Sequence, residues 1–285
     1  MRTGKRLAVA RKAAKPEGAR TVGRVLRALE LLAGQGGPLR LMEIARELGI
    51  PTSSAHALVQ QLIRFDYVKT VGEERRYVAG PALVLLGTRV RAGLQIVKVA
   101  RSVLEELAAA TGENVYLGIR QAHGIVYADS IEAESGVMAR FPIGSMRPLH
   151  ASSPGKVFLA FQVPPVQLDA FLGPGPLQAF TRHTITDRVR LRQQLDQVRA
   201  RGYAVNEQEA VEGAFGVSAP IFGADGALAG SITLGLPVVR YKSGRDMAIR
   251  KVTAAATEIS RRLGVESWSE TLRSFSRPLA AADLR

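Results

Sequence analysis

Residues 41–65 read LMEIARELGIPTSSAHALVQQLIRF, and their periodicity describes two short helices with a tight break between them. Leu41, Ile44, Ala45 and Leu48 recur at helical spacing and form one apolar face. Gly49 ends the first helix, because a helix C-terminus favours a residue that accepts the left-handed conformation. Pro51 and Thr52 open the second, with Thr52 or Ser53 positioned to cap its free amides. There Ala55, Leu58, Val59 and Leu62 make the buried stripe. The opposite face carries Ser53, His56, Ala57, Gln60 and Arg64, whereas a merely solvated face is usually richer in Lys and Glu. Hydroxyl, imidazole, carboxamide and guanidinium groups suit base edges and phosphates, which marks a helix-turn-helix with a recognition helix. An ordinary pair of packed helices in a globular core fits the same pattern.

The residues that follow favour the first reading. Residues 67–71 and 76–78 are two β-type runs around a charged turn at 72–75. A helix-turn-helix followed at once by a small hairpin is a winged helix, and the wing sets Arg75 and Arg76 where a DNA backbone would run. The candidate DNA-binding residues are therefore Arg40, Thr52, Ser53, Ser54, His56, Gln60, Arg64, Arg75 and Arg76.

Outward from this stretch, a chain of 285 residues exceeds the usual single-domain size, so two domains are expected. The net charge of +14 and pI near 10.7 point to a polyanionic partner. Residues 1–80 hold 15 Lys and Arg against 7 Asp and Glu, so the excess per residue is concentrated in the helix-turn-helix half. No cysteine is present, which removes disulfides and thiolate metal sites and fits a cytoplasmic protein. The four histidines show no metal-ligand spacing, and neither a metal nor a cofactor is expected.

Residues 1–20 are basic, and their one apolar run, at 7–10, is too short for a signal-peptide core. They read as a disordered tail, as a basic arm adding phosphate affinity, or as both. No stretch reaches the roughly 20 apolar residues of a membrane span. Thr21 is expected to begin a helix whose stripe is Val22, Val25, Leu26, Leu29 and Leu32, completing the winged-helix domain over 21–80. Residues 81–112 read as a helical linker broken near Gly93, serving dimer contacts or simple attachment. Mixed helices and strands over 113–264, including a hairpin around Ala224, Asp225 and Gly226, describe an α+β domain of sensor size. Residues 265–285 read as a C-terminal tail.

From about Thr21 to Leu263 the chain resembles the IclR family of bacterial transcriptional regulators. The head matches in order at Val25-Leu26-Arg27-Ala28-Leu29, Leu41-Met42-Glu43-Ile44-Ala45, Gly49-Ile50-Pro51, Ser53-Ser54 and Tyr77. The second domain matches more specifically, at Pro148-Leu149-His150-Ala151-Ser152-Ser153-Pro154-Gly155-Lys156 with Leu159-Ala160. Thr184-Ile185-Thr186, Arg201-Gly202-Tyr203-Ala204, Glu209 with Gly213, and Ser218-Ala219-Pro220-Ile221 follow in register. The resemblance implies a winged helix joined to a GAF-like effector-binding domain, acting as a dimer or tetramer on double-stranded, pseudo-palindromic operator DNA. The implied effectors are small organic acids or aromatic catabolites.

By position, the effector-contacting sites of that family correspond to Ala139, Arg147, Ser153, Pro154, Asn206, Ala214, Gly216, Thr233 and Gly235. Each has a purely structural reading as well: Ser153 shaping a turn, Asn206 closing its own loop, Gly216 and Gly235 permitting strand bends. Arg147 is expected to pair either with a ligand carboxylate or with Glu207 or Glu209. Three departures from the family pattern stand out: Ala57 where an Arg is usual, Gly216 where a Cys is common, and Pro154, which has no backbone N–H. An enzyme reading rests on Ser153-Pro154-Gly155-Lys156, an S-x-x-K run suited to serine acyl transfer, with Lys242-Ser243-Gly244. It lacks the S-D-N element. A ligand-independent structural DNA binder is the third class, and a folded sensor domain argues against it.

Overall fold

The structure, a computed structural model, describes residues 17–34, 37–121, 124–133 and 140–276. The chain divides between Val90 and Arg91 into two units. In the first, helices α1 (Glu17–Gly34), α2 (Leu41–Leu48) and α3 (Thr52–Arg64) close over Ala28, Leu32, Ile44, Leu48, Val59 and Leu62. Gly49 ends α2 at φ 63°, a conformation open to glycine without a side-chain penalty. Strands β1 (Val68–Val71) and β2 (Arg76–Ala79) pair antiparallel as the wing, adding Val68 and Tyr77 to the core. Leu39 bridges to Tyr77 and ties the wing to the chain entering α2.

Three expectations change in this unit. Helix α1 begins at Glu17 rather than Thr21, so residues 17–20 of the expected tail are helical, and residues 1–16 lie outside the described ones. Its inward arc is centred on Ala28 and Leu32, leaving Val22 and Leu26 of the expected stripe 59% and 55% exposed. At about 100° per residue Val22 falls on the flank of that arc and Leu26 on its far side, and Ala28 is too small to have marked its centre. Helix α3 has Pro51 as its N-cap and no side-chain cap, so Thr52 and Ser53 stand in the first turn, not ahead of it. The fixed φ of proline sets the entry that a capping hydroxyl was expected to set.

Helix α4 (Pro81–Gly93) runs across the division, and none of its residues is buried. After a break at Leu94, α5 (Gln95–Thr111) buries Val97, Ala100, Leu104 and Leu107. That half of the expected linker is thus part of the second unit's core. The sheet there has six antiparallel strands in the order β5-β4-β3-β8-β7-β6. They are β3 (Asn114–Gln121), β4 (Gly124–Ile131), β5 (Met146–Arg147), β6 (Ala204–Glu207), β7 (Ala214–Phe222) and β8 (Leu228–Pro237). The short β5 and β6 carry too few residues to show an alternation in the sequence.

Strand alternation builds two layers on this sheet. Val217, Ala219, Ile221, Ile232 and Leu234 face α5 and α9 (Val238–Arg262). Across the other face lies α6 (Ser153–Gln162), backed by α8 (Arg188–Arg201), with α7 (Leu168–Leu172) between them in sequence. Between Leu117 and Gly118 the pairing with β4 shifts by one residue, so Leu117 faces Asp129 and Gly118 faces Tyr127. Asp129 is buried and takes Arg91, at the end of α4, at 3.0 Å and Arg101 of α5 at 3.1 Å.

The expected C-terminal tail contains a further helix, α10 (Trp268–Ser276). Trp268 Nε1 donates to the Pro220 carbonyl at 3.0 Å, Leu272 is buried, and Phe275 stacks on Phe222 with ring centroids 5.5 Å apart. These three apolar residues recur at helical spacing, a signal short enough to pass for chance. Among the described residues no helix is long and apolar enough to cross a membrane.

Candidate functional site

Two surfaces gather the residues singled out from the sequence. On the first unit, α3 turns Ala55, Val59 and Leu62 inward and leaves Ser53, His56, Gln60 and Arg64 exposed, with Thr52 and Ser54 exposed in its first turn. With no side chain capping α3, the amides of that turn stay open to an acceptor. Arg75 stands at the wing tip with φ 49°. Arg40 and Arg76 are tied to one carboxylate, that of Glu74, at 3.0 and 2.9 Å. Both guanidiniums beside it hold Glu74 below the usual carboxylate range. Two positive groups from separate segments are thus gathered next to the wing turn.

On the second unit, Arg147, Ser153, Pro154, Asn206, Ala214, Gly216, Thr233 and Gly235 line one cavity that opens to solvent. Ala139 lies outside the described residues. The cavity forms where the start of α6 crosses the sheet. Ser152 caps α6 by accepting the Gly155 N–H at 3.1 Å, and Pro154 follows in the first turn. Strands β7 and β8 present their small residues beneath it, so the helix end does not close the space. Asn206 belongs to the wall but spends its amide on the scaffold. Its Nδ2 donates to the Ala151 carbonyl, and its Oδ1 accepts the Glu209 N–H at 2.9 Å.

Among the described residues Arg147 makes no ion pair with Glu207 or Glu209, one of the alternatives expected for it. Its guanidinium carbon lies 3.9 Å from the centre of the Phe141 ring. Its Nε is buried without a hydrogen-bond partner among the described residues. Glu209 is held instead by Lys156, whose ammonium also donates to the Val205 carbonyl at 3.2 Å. Lys156 is fully buried, and burial pushes its ammonium down from the usual lysine range while Glu209 opposes the shift. This pairing bears on the S-x-x-K reading. The lysine is directed to Glu209, and Ser153 Oγ accepts from Ser218 Oγ at 2.8 Å. Thr233 Oγ1 continues the hydroxyl chain 2.7 Å from Ser218.

The aromatic wall was missed in the sequence. Tyr116 and Tyr127 stack with ring centroids 4.5 Å apart, and Phe141 closes against both. Burial raises both phenols above the usual tyrosine range, so they stay neutral. The two tyrosines sit on neighbouring strands around the register shift, and an offset of that kind leaves no mark in the alternation of either strand.

Two family models match the chain. Residues 21–72 match the IclR helix-turn-helix domain, and residues 88–261 match the bacterial transcriptional regulator IclR C-terminal domain. The chain is 33% identical over 244 residues to the HTH-type transcriptional regulator BhcR of Paracoccus denitrificans, covering 85% of this chain and 87% of that one. It is 28% identical to the transcriptional repressor IclR of Escherichia coli, over 78% of this chain and 81% of that one. Among solved structures, an IclR transcriptional regulator from Alicyclobacillus acidocaldarius superposes with a TM-score of 0.75 at 26% identity, covering 85% and 97% of the two chains. A homologue from Microbacterium hydrocarbonoxydans, solved in complex with 4-hydroxybenzoate, shares the fold at a TM-score of 0.74 and 23% identity, covering 85% and 98%.

Proposed function

The chain belongs to the IclR family of bacterial transcriptional regulators, and we propose that it is a ligand-responsive one, reading a pseudo-palindromic operator through α3 and a small organic acid through the cavity of its second unit. It is a DNA-binding transcriptional regulator with the winged helix as its DNA-binding element. The observation that carries the ligand half of the proposal is Arg147, a guanidinium at a cavity wall with a buried, unpartnered Nε. Such a group favours an entering carboxylate, which meets it with two parallel hydrogen bonds. The aromatic wall of Tyr116, Tyr127 and Phe141 suits a flat acid, and a chain of the same fold holds 4-hydroxybenzoate.

On the DNA side, Ser53, His56, Gln60 and Arg64 form the face for base edges, with Thr52, Ser54, Arg40, Arg75 and Arg76 directed to the backbone. Gln60→Ala should relax sequence preference, costing on the order of 1–3 kcal/mol at the base pair it contacts. Binding to an operator series varied one pair at a time checks this, and an unchanged preference at every pair would remove Gln60 from the reading face.

The protein works as a dimer or a dimer of dimers in this reading. The surface offered for pairing is α4, which exposes Val84, Leu85, Leu86 and Val90. Occupancy of the cavity shifts the balance between pairing arrangements, and the spacing of the two recognition helices sets operator affinity. A thermal-shift comparison of small carboxylates with their neutral amides tests the acid. The acids should stabilise the protein and the amides should not, and Arg147→Ala should abolish the difference. Equal stabilisation by acids and amides would leave Arg147 a structural residue.

A further inference from the structure

Two arginines of the first unit are set side by side by the backbone. Leu39 and Tyr77 exchange a pair of N–H to carbonyl hydrogen bonds, at 3.0 and 2.7 Å, across an antiparallel bridge. Arg40, extended ahead of α2, and Arg76 are the next residues along from that bridge and therefore stand opposite each other. Like charges in that arrangement repel.

Glu74, on the wing turn two residues before Arg76, answers both. One of its oxygens, Oε2, accepts Arg76 Nε and Nη2 at 3.2 and 2.9 Å and Arg40 Nη2 at 3.0 Å. The edge of Arg76 that carries Nε and Nη2 can grip an anion with two parallel bonds, and here it is spent on Glu74. The position of Oε2 is thus a slot for an anionic oxygen, built from two segments of the chain and filled from within. All three side chains are exposed, and an ion pair in water is weak. A phosphate oxygen can take the slot without any part of the core opening.

Resting on the reading that Arg40 and Arg76 meet the DNA backbone, we propose that they form a phosphate clamp and that Glu74 is its internal competitor. In the free protein the carboxylate relieves the repulsion between the two guanidiniums and occupies the space between them. On DNA a phosphate oxygen replaces Oε2, and Glu74 turns out to solvent. The competition lowers affinity for every sequence alike, because a phosphate carries no base identity. It holds down the random binding that a chain of net charge +14 would otherwise show.

The test is binding of the full chain to a random-sequence duplex of about 30 base pairs, followed by fluorescence anisotropy over a range of salt. Glu74→Gln keeps the shape of the side chain and removes its charge, so the clamp should release one more counterion on binding. The slope of log K against log salt should steepen by about 0.9, and affinity should rise about fivefold at about 0.1 M salt. Glu73→Gln makes the same change in net charge one residue away and should gain less. In a chain carrying Arg40→Ala and Arg76→Ala, the gain from Glu74→Gln should fall to that of Glu73→Gln. Equal gains from the two glutamate variants in the parent would make Glu74 one negative charge among others and overturn the clamp. A loss of affinity in Glu74→Gln would make it a support for the arginines and not a rival of the phosphate, which also overturns it. If Arg40→Ala with Arg76→Ala binds as the parent does, the backbone reading of those arginines falls, and this inference falls with it.

Discussion

Replacing Lys156 with Met should cost the second unit about 3–5 kcal/mol, the usual penalty for removing one partner of a buried ion pair. For a unit of this size that is a drop of roughly 10 °C in midpoint temperature. The ammonium of Lys156 is fully buried and held by Glu209 and the Val205 carbonyl. Without it, Glu209 would be a carboxylate enclosed with no counter-charge. Exchanging both residues together, Lys156→Met with Glu209→Met, should recover most of the loss, because the pair's desolvation disappears with the pair. Thermal denaturation of the parent and the two variants measures both effects. A Lys156→Met protein within 1 kcal/mol of the parent would mean that the buried pair is not holding the loop after β6 onto α6.

The second large effect concerns α4. If α4 is the proposed pairing surface, Leu86→Glu with Val90→Glu, two exposed positions one turn apart, should turn the proposed dimer into monomers in sedimentation. Operator affinity should fall by at least about a hundredfold, since each half-site is then bound without the gain of a linked partner. The fold of either unit should be untouched, because no residue of α4 is buried. A double variant that sediments as the parent does would move the pairing surface elsewhere, and with it the explanation for the apolar exposure of this helix.

Helix α3 is legible in the sequence because its period separates two faces of contrasting chemistry within thirteen residues. The cavity is legible only in part. Arg147, Ser153, Asn206, Gly216 and Thr233 can be named from their positions in a collinear pattern, and the fold brings them together. Their roles cannot be read that way. Asn206 turns out to bind its own scaffold, and Glu209 is taken by Lys156 before it can reach Arg147. Both outcomes depend on which of several carboxylates and carbonyls lies nearest, a matter of packing between distant segments. Tyr116 and Tyr127 are hidden for a related reason. Alternation tells that a strand has two faces but not which one borders empty space, and the register shift between Leu117 and Gly118 offsets even that pattern.

Helix α10 sets where this protein can be cut. The family match ends at residue 261, and a fragment designed on that limit would omit Trp268, Leu272 and Phe275. Phe222 and Phe161, which those residues help to cover, would then open onto water as a greasy scar. The smallest well-behaved piece for crystallisation or a biosensor therefore runs to Ser276, and a protease that nicks the turn between α9 and α10 would leave a product prone to clump.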